Sequence, residues 1–257
     1  MINNWGDISV EQFNEIHNLQ YQNVEEYYVE LISILCDISI YEVEDFDIKE
    51  FEELLSVSTF INKAPIVKSS DVICFGDEKL YKLDLNTLTV GAFIDLENLI
   101  TDNLNENFSV ILSILYRVKI KEECILYKAV YEEYGDWIYH RSLLFNNLCI
   151  NEVYGTLNEY LIFRDNLFKS YSGLFNSEDE DDDDDDDIDI IISDETPQEK
   201  KIREKEEKKT QRIKKWGWDS LLIKAAQGDV LKIEAVTKLP LIQVFNSLSI
   251  KKELEIE

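Results

Sequence analysis

The sequence predicts a mainly α fold with one small β-hairpin. A large N-terminal helical domain would span 1–176 and a disordered acidic tether 177–199. A basic connector with helical spacing would follow over 200–215, then a small C-terminal helical module over 216–257. Three observations carry this reading. Apolar residues recur every three to four positions through most of the chain up to Tyr171. One pair of short apolar runs, Val72–Phe75 and Leu80–Leu85, flanks the turn Gly76-Asp77-Glu78. Fourteen acidic residues fall between Ser177 and Glu199, seven of them in the unbroken run Asp181–Asp187. Dense like charge repels itself and offers little apolar surface to offset the entropy of ordering, so no core forms there.

Taken in order, Asp7 followed by Ile8, Phe13 and Ile16 reads as a capped helix start, with Glu11 in the first turn. A second helix is expected over Val24–Asp37, where Tyr27, Tyr28, Leu31, Ile34 and Leu35 share a face. A third element lies within 40–57, with its body at Asp47–Ser56. Pro65 ends that helical stretch, and the hairpin follows. Thr89 is a favourable N-cap for Val90–Ile100, whose Phe93, Leu96 and Ile100 line one side. Phe108–Val118, Glu122–Glu133 and Trp137–Tyr171 then read as helices. Gly155 marks either a break or a close packing point in the last, and Gly173 a stop. Beyond the charged block, Leu221–Gln227 is a short helix with Gly228 at its C-cap position. Asp229 caps Leu231–Val236, and Pro240 opens a final helix to about Glu253. On that helix Leu241, Val244, Phe245 and Leu248 form one narrow stripe.

Net charge is −27, unevenly spread. Residues 1–176 carry 12 Lys and Arg against 30 Asp and Glu, whereas 200–215 carry nine basic and three acidic residues. A field of this sign repels nucleic acid and anionic membranes, so neither is an expected partner. Cys36, Cys74, Cys124 and Cys149 lack CxxC spacing, and Met1–Val10 is polar and mixed, which fits a reduced intracellular setting without a signal peptide. No apolar run reaches the roughly 20 residues needed to cross a bilayer.

Catalytic signatures do not emerge. GxxxxGK[ST], GxGxxG after a strand, GxSxG and HExxH are all missing from the sequence. His17 and His140 have no Cys or His at ligand spacing, so no metal site and no cofactor is expected. Paired carboxylates such as Glu132–Glu133 arise by chance in so acidic a chain, and the aspartate run lacks the glycine and ligand spacing of an EF-hand. The reading is therefore non-enzymatic. Most aromatics, among them Tyr27, Tyr28, Tyr131, Tyr134, Trp137 and Tyr139, sit at helical spacing and read as core. Trp216 and Trp218 differ, because the 42 residues after Lys215 can hardly bury both, and such a short module calls for a partner or self-association. The expected partner-binding residues are Trp216, Trp218, Leu241, Phe245 and Leu248.

Several stretches occur together in a recognisable order. Trp-Gly-Asp-Ile-x-Val-Glu-Gln-Phe opens the chain at Trp5–Phe13, and Leu-Thr-Val-Gly-Ala-Phe-Ile-Asp-Leu occupies Leu88–Leu96. A charged linker precedes Trp-Gly-Trp and then Val-Thr-Lys-Leu-Pro-Leu-x-x-Val-Phe-x-x-Leu at Val236–Leu248. This series resembles the tail assembly chaperones of tailed bacteriophages and related phage morphogenesis proteins. The resemblance implies an N-terminal domain that coats a helical tape-measure-like tail protein in the host cytoplasm, and a C-terminal extension that recruits a second tail component. The chain departs from that pattern in carrying the extension continuously behind a long acidic segment. Two other readings stand beside it. One is a structural virion component of neck, tail or particle interior. The other is an acidic chaperone or decoy for a basic partner, with the aspartate run as its working element.

Overall fold

The computed structural model describes residues 4–65, 68–121, 130–175 and 217–254. The expected tether at 177–199 and connector at 200–215 lie outside these residues. The fold is mainly helical with a small antiparallel β-hairpin, as the sequence predicts. The chain divides into two compact units, Met1–Asn166 and Leu167–Glu257. That division precedes the onset of the acidic block, because Leu167–Phe175 packs with the C-terminal residues of the second unit.

In the first unit, α1 (Val10–His17) begins later than the expected Asp7 cap. Ser9 is the N-cap and forms a reciprocal capping box with Gln12, while Trp5–Asp7 is a 3-10 turn. The same device opens α3 (Ile40–Glu44) with Ser39 and Glu42, and α4 (Ile48–Val57) with Asp47 and Glu50. Between α1 and α3, α2 (Val24–Cys36) is capped by Asn23 and ends on Asp37 in the left-handed region, φ 53°. α5 (Val90–Asn103) carries the expected Thr89 cap. At the centre lies α6 (Phe108–Leu115), in which every residue except Val110 is buried. It packs against α1, α5 and α7 (Trp137–Phe145).

Short apolar stretches leave helix and strand hard to distinguish, and here the structure departs from the sequence reading. β1 (Val72–Phe75) and β2 (Glu78–Lys82) pair antiparallel around Gly76-Asp77, with Gly76 at φ 61°. Leu85, expected in the second strand, instead opens a 3-10 turn over Leu85–Thr87. β3 (Tyr116–Arg117), expected to continue a helix to Val118, adds to the free edge of β2. β4 (Lys119–Lys121) pairs antiparallel with β5 (Val130–Tyr131), which falls within the helix expected over Glu122–Glu133; residues 122–129 of that helix lie outside the described residues. The single long helix expected over Trp137–Tyr171 is α7 followed by α8 (Ile150–Ser170). The interruption has a partner: backbone bonds from Val10 N to Leu148 O and from Ile150 N to Ile8 O tie residues 148–150 to the start of α1.

Gly155 does not break α8. It is a close packing point, since a Cβ there would lie 2.5 Å from the Lys68 carbonyl carbon. Its N–H donates to Lys68 O at 2.9 Å and holds residues 68–71 against the helix. Gly173 lies inside α9 (Ser172–Phe175) rather than ending a helix.

Candidate functional site

Polar chemistry in the first unit converges on three places, and each ties elements together. Lys82 Nζ lies 3.1 Å from Asp71 Oδ1 and 3.0 Å from Glu159 Oε2, and donates to Ser69 Oγ at 3.0 Å. Burial opposes its charge, but the bonds to Asp71 and Glu159 outweigh burial and hold its pKa above the ordinary value. Beside it the buried Tyr116 hydroxyl donates to Ser70 O and lies 2.7 Å from Thr156 Oγ1. Burial pushes that phenol up to about 12.

The second cluster is built on Arg141. Its guanidinium lies over the Trp137 ring, binds Glu132 through both terminal nitrogens, and reaches Glu78 at 3.4 Å. Arg117 sits over the Tyr134 ring and donates through Nε to Ile114 O, while its Nη2 is buried without a hydrogen-bond partner among the described residues. Burial lowers this guanidinium to about 10. Tyr134 in turn donates to Asp95. The third place is the pair Glu97 and Tyr160, both buried and 2.8 Å apart. Burial raises the Glu97 carboxyl, and burial with the Glu97 charge raises the Tyr160 phenol.

None of these clusters combines a nucleophile, a base and room for a substrate. His17 Nδ1 lies 2.9 Å from Phe13 O on its own helix, and His140 is exposed. Among the described residues no group of three or more His, Cys, Asp and Glu could hold a metal ion, and no helix is long and apolar enough to cross a membrane.

The second unit presents a different surface. Residues 217–225 form α10, which ends on two consecutive left-handed residues, Gln227 at φ 57° and Gly228 at φ 77°. The Gly228 N–H donates to Ile223 O, so the expected C-cap glycine closes the helix. Asp229 then accepts from Leu231 N and caps a 3-10 turn, Val230–Lys232, that runs into α11 (Ile233–Thr237). Pro240 stands at the N-cap of α12 (Leu241–Glu253). Leu221, Leu222, Ala226, Val236, Leu241, Val244 and Phe245 are buried together with Leu167. Phe245 meets Tyr171 edge-on at 5.3 Å, and the Tyr171 hydroxyl donates to Asn246 Oδ1. Phe168 stacks on Trp218 at 6.4 Å.

This arrangement sorts the expected partner-binding residues. Leu241 and Phe245 are core, 1% and 0% exposed, and hold α12 in place. Trp218 is half-buried on Phe168, and Trp216 lies outside the described residues. Leu248 is half-exposed and lines a groove of about 140 Å³ between α10, α11 and α12. Ala225, Val236, Leu239, Val244 and Leu248 supply its apolar surface, Gln227, Gln243 and Ser247 its neutral polar groups, and Lys224 and Lys251 its charge. The two lysines were not anticipated from the sequence. The signal for Lys251 is its i, i+3 relation to Leu248 on the expected stripe; Lys224, on α10, has no such signal.

No protein-family model, curated protein or solved structure matches the chain.

Proposed function

We propose that the protein is a non-enzymatic adaptor of phage morphogenesis. Its large helical domain holds a helical, tape-measure-like tail protein, and its second unit recruits another tail component. The observation that carries this reading is the second unit's open groove, which stands on a compact core of its own. A module tethered to a client-binding domain raises the local concentration of its own partner, to an extent set by the reach of the tether. Strong negative charge on the large domain keeps a complex with an aggregation-prone client dispersed. The order of the stretches Trp5–Phe13, Leu88–Leu96 and Val236–Leu248 supports the phage assignment. Within the second unit, Trp216, Trp218 and Leu248 are proposed to meet the partner, with Leu241 and Phe245 positioning α12.

The test is mass spectrometry of two samples, a pull-down of the tagged full chain from infected cells and purified particles. The expected result is recovery of a long helical tail protein with the chain, and no chain in the particles. Stoichiometric presence in particles would replace the adaptor with a structural virion component. Recovery of basic host proteins alone would make the acidic run the working element.

A further inference from the structure

The groove in the second unit carries positive charge, whereas the chain as a whole is strongly negative. Residues 217–254 contain five lysines. Lys232 pairs with Asp229 at 3.2 Å, Lys238 pairs with Glu234 at 2.8 Å, and Lys252 donates to Gly173 O at 2.9 Å. Among the described residues Lys224 and Lys251 form no ion pair, and both line the groove. No acidic residue is among the groove's lining side chains. In a chain of net charge −27, two lysines on one partly apolar concavity set its local charge against the net sign.

The apolar part is small. The whole groove, with polar and apolar lining together, measures about 140 Å³, room for about one large side chain. Along α12 the lining runs from Gln243 to Lys251, about 12 Å at the helical rise, which matches two turns of a docked helix. Leu239, 41% exposed, stands at the margin, so an occupant would cover apolar surface that now meets water.

We infer that the groove receives an acidic amphipathic helix of a partner protein. One large apolar residue seats against Val236, Val244 and Leu248, and carboxylates on either side meet Lys224 and Lys251. Charge complementarity carries the choice. A basic helix would bring like charge to both lysines, and a neutral one would leave them unanswered. The inference rests on the adaptor reading and gives the chemistry of the component that the second unit recruits.

Two experiments on the full-length chain separate this inference from that reading. In the first, fluorescence anisotropy follows titration of two short designed helices that share a leucine stripe and differ only in flanking Glu or Lys. The glutamate helix is expected to bind, and to bind more weakly in about 0.5 M salt, where screening acts over a few ångströms. Replacing both Lys224 and Lys251 by Glu should cost it at least about tenfold in affinity. A thermal scan checks that the variant folds. Equal or tighter binding of the lysine helix would overturn the inference, as would undiminished binding by the double variant. Binding of the glutamate helix only after deletion of 181–192 would also overturn it, by making the chain's own acidic run the occupant. In the second experiment, the K224E/K251E chain replaces the parent in the infected-cell pull-down. The expected result is retention of the long helical tail protein and loss of the second tail component. Retention of both would end the inference and leave the adaptor standing, whereas absence of tail proteins with either chain would end the adaptor reading alone.

Discussion

Gly155 and Gly173 form a pair of controls one helix apart in sequence. A Cβ on Gly155 would sit 2.5 Å from Lys68 C, 2.6 Å from Lys68 O and 2.8 Å from Ser69 N, all backbone atoms that cannot swing aside. The displaced strap carries Ser69, Ser70 and Asp71, which bind Glu159, Tyr116 and Lys82. Helix propensity favours alanine over glycine by roughly 0.5–1 kcal/mol. Overpacking costs about 1–3 kcal/mol, and it wins here because the strap's bonds are lost with it. Gly155→Ala should therefore lower Tm by several degrees, while Gly173→Ala, with nothing within 4 Å, should leave it level or raise it slightly. Glu97 gives a pH-dependent counterpart. Burial holds its folded pKa above the ordinary 4.5, so the native state keeps a proton that the unfolded chain releases. The stability this confers is complete below the unfolded value and is lost as pH rises through the folded one. Glu97→Gln keeps an acceptor for Tyr160 and cannot ionise. Urea denaturation should show the variant gaining on the parent as pH rises from acid to neutral. A constant difference across that range would mean that the carboxylate ionises in the folded state at no cost.

At the scale of elements, the end of α8 and α9 belong to the second unit through side chains. Phe168 stacks on Trp218, Tyr171 meets Phe245 and Asn246, and Gly173 O accepts from Lys252. Replacing Phe168 and Tyr171 together by alanine removes two aromatic contacts and exposes part of the α12 core, a loss of roughly 2 kcal/mol. Hydrogen exchange should accelerate across α12 while the amides of α6 keep their protection. Unchanged exchange in α12 would mean that residues 217–254 hold their fold without this support. Legibility in the sequence follows the same line between local and distant causes. Helices with a side-chain cap and a face of three or more turns, such as α2 and α5, were readable because cap and stripe lie within one segment. β3 and β5 were not, since two residues show no period and their pairing is set by Lys82 and Lys119 elsewhere. The gap between α7 and α8 depends on Ile8 and Val10. In the candidate site the stripe Leu241, Val244, Phe245 and Leu248 was visible. The burial of Phe245 depends on Tyr171, and that Lys224 and Lys251 pair with none of the described residues shows only once the other three lysines are matched to their partners.

For the whole molecule, charge is the dominant fact. Residues 1–176 carry 30 acidic side chains against 12 basic ones, so a compact fold concentrates repulsion that the unfolded chain spreads out. The ion pairs that oppose this among the described residues are short in range. Arg141 with Glu132, and Lys82 with Asp71 and Glu159, are partly shielded from solvent by Trp137 and by burial of the Lys82 stem. Salt acts on the two contributions unequally. Exposed charges more than a Debye length apart, about 10 Å at 0.1 M, are screened strongly, while close and partly buried pairs are screened little. Raising ionic strength should therefore relieve repulsion faster than it weakens attraction. Differential scanning calorimetry from about 0.01 M to 0.5 M salt is expected to show the unfolding transition moving upward, with most of the rise complete by roughly 0.1–0.2 M, where the Debye length falls to the spacing of neighbouring surface charges. Association through the groove should respond in the opposite sense, because there the interacting charges are of opposite sign. A fall in Tm with salt would mean that the pairs at Arg141 and Lys82 contribute more to the first unit than its excess of carboxylates removes.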